Sequence, residues 1–255
     1  MKIKVGVIGG SGLDNPDILK APEDLCVKTK WGATSSPLRV GKIDDTDVVI
    51  LSRHGRQHTI PPSQVNYRAN IAALLDVGCT HILATTAVGS LRAEIERGDI
   101  VILDQFLDFT KMRCATFHEA FQPHEPVHTP MADPFNADLR EMLLKTCVAA
   151  GVKVHGRGTV VTIEGPRFST RAESNMYRLL GADVINMSIA TEVCLANEAK
   201  IPYAAIAMST DYDCWKVDEP PVSWEEILGV FQKNSTKVTS VLKNVIPVIR
   251  SAQSI

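Results

Sequence analysis

Short, near-continuous apolar runs recur along the chain, each closed by glycine or by a polar residue. They occupy residues 3–8, 48–51, 81–85, 100–103, 159–163, 184–187 and 203–208. Runs this short with no polar alternation fit strands covered on both faces by helices. Between them, residues 63–77, 135–150, 170–180, 191–199 and 224–250 carry helical periodicity, the last expected to be interrupted near Pro247. The alternation predicts an α/β fold: a single domain over residues 1–255, with a mostly parallel or mixed central sheet flanked by helices. Residues 106–133 break the pattern. They contain His118, Pro123, His124, Pro126, His128 and Pro130 and predict a long ordered loop or lid.

The polar residues that close the runs carry the chemistry. Gly9-Gly10-Ser11-Gly12 follows the first run and Arg53-His54 the second. Thr86 follows the third, Ser188 the run ending at Met187, and Thr210-Asp211 the run ending at Met208. Five distant segments therefore place polar groups beyond strand carboxyl ends, where open α/β sheets bind ligands. The glycine turn lets backbone N–H groups approach an anion, with the Ser11 hydroxyl beside them. Arg53 offers a two-pronged fork, His54 a further donor, Thr86 and Ser188 hydroxyls, and Ala87 a backbone N–H. Together they suit a small oxyanion. Taken singly, a glycine turn is often only tight, an Arg-His pair is often a surface feature, and a threonine at a strand end is often a helix cap.

Composition narrows the classes. Hydrophobic residues make up 45% and charged residues 22% of the 255, enough for a substantial core. Basic and acidic residues number 27 and 29, so no basic face is implied and no nucleic-acid partner is expected. The glycine turn has neither the dinucleotide-binding nor the P-loop spacing, which weighs against an oxidoreductase or a nucleotide triphosphatase. Cys26, Cys79, Cys114, Cys147, Cys194 and Cys214 show no CxxC spacing. They predict buried free thiols in a reducing compartment and no metal site. There is no signal-peptide core and no apolar run of spanning length, so a cytoplasmic protein without a membrane partner is expected.

Longer strings add a resemblance. IGGSGL, SRHGRQH followed by PSQVNYRANI, TTAVGSLR, GDIVILDQFLDFT, TIEGPRFSTRAE, GADVINMS and MSTDYDCW closely resemble the trimeric purine nucleoside phosphorylases, in order and over nearly the whole chain. Within that family they are most similar to the branch that acts on 5′-methylthioadenosine. The resemblance implies reversible phosphorolysis, with inorganic phosphate as co-substrate, no cofactor, a purine nucleoside as the other small-molecule substrate, and a homotrimer. It places phosphate on Ser11, Arg53, His54, Thr86, Ala87 and Ser188. Phe168 would stack on the purine and Met187 would lie against the ribose. Asn186 and Thr210 would stand beside the nucleoside, and His128 of a neighbouring subunit would close the 5′ side.

The same resemblance makes Asp211 the acid at purine N7, held neutral by burial and by Asp213. A carboxyl there accepts from the adenine 6-amino group and, when protonated, donates to N7. Relatives that use 6-oxopurines carry Asn at that place and Glu where this chain has Ser169. Trp224 and Ile227 fall where the methylthio-specific enzymes wall the 5′ substituent, although they also suit the start of an amphipathic helix. Thr191 stands where the family commonly has Pro, and it remains able to cap the next helix. A 6-oxopurine phosphorylase, a hydrolase with paired carboxylates and a nucleoside-binding protein without turnover are the alternatives.

Overall fold

The computed structural model describes residues 2–10, 18–218 and 224–252. Ser11 therefore lies outside the described residues, as do the side chains of Trp224 and Ile227. The first strands are β1 Lys4–Gly9, β2 Lys20–Leu25, β3 Lys28–Thr29, β4 Gly32–Ala33, β5 Leu38–Ile43 and β6 Thr46–Ser52. After helix α1 (Tyr67–Asp76) come β7 His81–Ser90, β8 Ile100–Ile102 and β9 Gln105–Phe109. Helix α2 (Ala137–Ala149) leads to β10 Val154–His155 and β11 Thr159–Ile163, and α3 (Arg171–Leu179) to β12 Val184–Asn186. Helix α4 (Ile189–Glu198), β13 Tyr203–Asp211 and α5 (Trp224–Ala252) complete the order.

One mixed sheet organises the molecule, in the order β10-β8-β13-β7-β1-β6-β5-β2, with β12, β11 and β9 branching from β7. The central strands β13, β7, β1 and β6 are parallel, as their apolar runs require. Antiparallel pairs lie outside them, at β8 with β13 and β5 with β6. One apolar cluster covers one face, with α1 and α4; another, with α2 and α5, covers the other.

All seven apolar runs form strands. The missed strands lack the cue. Every residue of β2 is exposed and it pairs only with β5, so neither burial nor alternation marks it. Strand β9 runs from Gln105 into the segment read as loop, and beyond Phe109 that segment holds only an isolated bridge between Gln122 and Glu125 before α2. Two helix readings change. Helix α5 runs unbroken through Pro247. Helix α4 begins at Ile189, with Ser188 at the cap position, so Thr191 sits in its first turn and caps nothing; its Oγ1 is buried without a hydrogen-bond partner. The cysteines are free, but Cys26 and Cys114 are exposed rather than buried. No helix of the described residues is long and apolar enough to cross a membrane.

Candidate active site

A cavity of about 380 Å³ opens where β6, β7, β12 and β13 end. It gathers Arg53, His54, Thr86, Ala87, Asn186, Met187, Ser188, Phe168, Thr210, Asp211 and Asp213 from the sequence reading. His128 is not among its walls; it is exposed and meets Phe121 edge-on at 5.9 Å.

On the oxyanion side the side chains are already paired. Arg53 follows β6 and is buried. Its Nε and Nη2 donate to the carboxylate of Glu192, the latter at 2.9 Å to Oε2, and Nη1 donates to the Thr85 carbonyl at 2.9 Å. Tyr203 Oη donates to the same Glu192 Oε2 at 2.8 Å. Burial opposes the Arg53 charge, but Glu192 outweighs it and holds the guanidinium protonated. One N–H on each terminal nitrogen is not used by these bonds. Gly10 packs so tightly here that a Cβ would stand 2.5 Å from Thr85 O and 2.6 Å from Arg53 Nη1. Only glycine allows that approach.

His54 departs from its expected role as a donor. Its Nδ1 lies 2.9 Å from the Ile60 carbonyl, which can only accept, so Nδ1 carries the proton. Burial first, then the Arg53 charge, lowers its pKa to about 3. The ring is neutral and Nε2 is an acceptor, suited to the protonated oxygen of a hydrogen phosphate. Beside it, the Thr86 hydroxyl donates to Ala87 O at 3.0 Å and accepts from Asn186 Nδ2 at 3.2 Å. Asn186 Oδ1 in turn accepts from Thr162 at 2.8 Å. Asn186 is thus fixed by its neighbours as well as facing the cavity. Ser188 stands at the N-terminus of α4, an end that favours an anion, although the Ala190 N–H already donates to Thr162 Oγ1 at 3.1 Å.

The opposite side is built from buried acids. Asp211 ends β13, where the register with β7 shifts, and Asp213 follows with φ +49°. Both are buried. Burial raises the Asp211 pKa, against the hydrogen bonds from Thr210 and the Asp213 backbone, while the Asp213 charge adds to the rise. Burial likewise raises Asp213. Thr210 Oγ1 lies 2.8 Å from Asp211 Oδ2 and 3.2 Å from Val88 O, yet it has one proton for two acceptors. Protonation of Asp211 would let its O–H donate to Thr210 while Thr210 donates to Val88. Gly89 makes room, since a Cβ there would sit 2.9 Å from Asp211 Oδ1.

Phe168 overhangs the cavity, 42% exposed, on a turn after β11. The turn is anchored downstream by a capping box on α3: Glu173 N donates to Thr170 Oγ1 at 3.2 Å and Thr170 N to Glu173 Oε2 at 2.7 Å. Sequence reading missed Glu192, Tyr203 and Thr162, which orient other residues. The signal for Glu192 was a carboxylate flanked by apolar residues in the first turn of the helix IATEVCLANE, which must find a cation when buried.

The phosphorylase superfamily model matches residues 4–247. The chain belongs to the phosphorylase superfamily. Among phosphorylases of known sequence it is 56% identical to the S-methyl-5′-thioadenosine phosphorylase of Xenopus tropicalis, over 97% of this chain and 89% of that one. Among solved phosphorylases, the methylthioadenosine phosphorylase of Schistosoma mansoni in complex with adenine superposes with a TM-score of 0.94 at 42% identity, covering 98% and 93% of the two chains. A variant of the adenosine/methylthioadenosine phosphorylase from the same organism, in complex with methylthioadenosine, gives 0.92 at 41% identity, covering 98% and 92%.

Proposed function

We propose that this phosphorylase cleaves 5′-methylthioadenosine reversibly, giving adenine and 5-methylthioribose 1-phosphate. The observation that carries the reading is one cavity with an oxyanion side around Arg53, Thr86 and Ser188 and, on the other, the buried Asp211 carboxyl, whose pKa burial raises. Phosphate attacks C1′ as the C1′–N9 bond breaks. The bonding pair passes to the purine, and the Asp211 proton moves to N7 to receive it, which requires the carboxyl O–H to turn from Thr210 to the base. Phosphate beneath the sugar stabilises its developing positive charge and then captures it. The carboxyl of Asp211 also accepts from the 6-amino group, which favours adenine over 6-oxopurines. Phosphate is a co-substrate and no cofactor is needed. The free thiols support a reducing, cytoplasmic setting.

The test is release of adenine from methylthioadenosine with and without phosphate, with adenosine and inosine run beside it. Release without phosphate would mark a hydrolase, and faster use of inosine would overturn the choice of base.

Assembly belongs to the same reading. His128 lies apart from its own chain's cavity, which supports a homotrimer in which it serves a neighbour. Mixing Asp211→Ala subunits with His128→Ala subunits should regenerate activity, because some mixed sites hold both native residues. No recovery from two folded, impaired variants refutes the shared site.

A further inference from the structure

Arg113 lies on the irregular segment after β9, and its side chain is only 2% exposed. It does not line the cavity. Its guanidinium nevertheless bonds Met187, which lines the cavity, and Glu164 and Tyr67 behind the wall. Nε donates to Glu164 Oε1 at 2.8 Å and Nη2 to the Glu164 carbonyl at 2.6 Å. Nη1 donates to the Met187 carbonyl and to Tyr67 Oη, both at 2.8 Å. The planar group sits over the Tyr67 ring at 5.1 Å. Tyr67 Oη lies 3.1 Å from Pro62 O and 3.4 Å from Met187 O. Glu164 Oε2 also accepts from the backbone N–H of Lys111 at 2.6 Å and of Met112 at 3.0 Å.

We infer that Arg113 is a positioning residue for the nucleoside half of the site. Glu164 begins the turn that carries Phe168, and Met187 is the cavity residue between Asn186 and Ser188. One fork thereby fixes the base-side turn and the sugar-side backbone relative to each other. Gly165 permits the fit, since a Cβ there would lie 2.4 Å from Met187 Sδ. Lysine cannot replace the fork: an ammonium on a flexible stem cannot hold two carbonyls and a carboxylate in one plane. The oxyanion groups Arg53, His54 and Thr86 make none of these contacts, so their work should be spared.

The inference rests on the cavity being a nucleoside site. The experiment measures kcat and KM for methylthioadenosine and for phosphate, with thermal midpoints, in wild type, Arg113→Lys and Tyr67→Phe. Expected is a fall of about tenfold or more in nucleoside kcat/KM for Arg113→Lys, since hydrogen bonds to a charged group are lost, and a smaller fall for Tyr67→Phe. The phosphate KM should stay within about twofold. Equal losses for both substrates, or no loss in a folded variant, overturns the role. If Arg113→Lys does not fold, Tyr67→Phe keeps the buried ring and decides by the same split. A wild type that never releases adenine with phosphate refutes the proposed function, whatever the variants do; an active wild type matched by both variants refutes only the role of Arg113.

Discussion

The two sides of the cavity solve opposite problems. On the oxyanion side, a cation is buried and already paired, with Arg53 held between Glu192 and Thr85 and Glu192 itself held by Tyr203. On the base side, two carboxyls are buried, and burial drives both towards the neutral form. The first arrangement preorganises charge before the ligand arrives. The second disfavours charge by burial. In the proposed function, the paired side would serve anion capture and the buried carboxyls acid catalysis.

The largest effect should come from the base side. Asp211→Ala is expected to lower kcat by about 10²–10⁴-fold while phosphate still binds, read by steady-state kinetics and by calorimetry with phosphate alone. A near-normal kcat would break the contrast. On the paired side, Arg53→Ala should cost stability as well as phosphate affinity, because Glu192 is left as an uncompensated buried charge. About 3–5 kcal/mol is expected from urea unfolding, much of it recovered in Arg53→Ala/Glu192→Ala. Equal stability in the single and double variants would show that the pair is not coupled.

A smaller effect sharpens the contrast through pH. The folded pKa of His54, about 3, lies well below the usual 6.5 of an imidazole. The ring takes up a proton on unfolding at any pH between these values. Its contribution is whole above about 6.5 and is lost as pH falls, at about 1.4 kcal/mol per pH unit. From pH 6.5 to 5 the loss is therefore about 2 kcal/mol, and His54→Gln should lack it. Asp211 acts in the other direction: its raised pKa favours the folded state as pH falls towards the ordinary carboxylate range. Equal pH slopes in wild type and His54→Gln would show that the ring is not held neutral. The smallest effect is at Thr191, whose buried hydroxyl has no partner. Thr191→Val should raise stability by about 1 kcal/mol in the same unfolding assay, and a loss of that size would mean the hydroxyl is bonded.

What could be read from the sequence divides along the same line. The central strands were legible because parallel strands buried on both faces are apolar throughout, and the polar residues that close them are few. Arg53, Thr86, Ser188 and Asp211 were legible because each stands at or just past the end of such a run, whereas Phe168 was named only through the family resemblance. Strand β2 was hidden because an exposed edge imposes no pattern. The start of α4 was misplaced because Ser188 occupies the cap position without making a capping bond. The donor role of His54 was misread because its tautomer is set by Ile60 O, six residues away along an irregular turn. Arg113 and Glu192 escaped because their partners are distant in sequence, and no local spacing records them.

Strand β7 has a consequence for the molecule as a whole. Its first half pairs with β1, most of its length with β13, and its last residues with β12. The same ladder that crosses the core also carries Thr86, Ala87 and Gly89 into the cavity wall. Loosening the site therefore means breaking the sheet, and no cheap partial opening separates the two. A ligand that fills the cavity should slow amide hydrogen exchange as far away as β1, and the binding free energy should appear undiminished in the global melting transition.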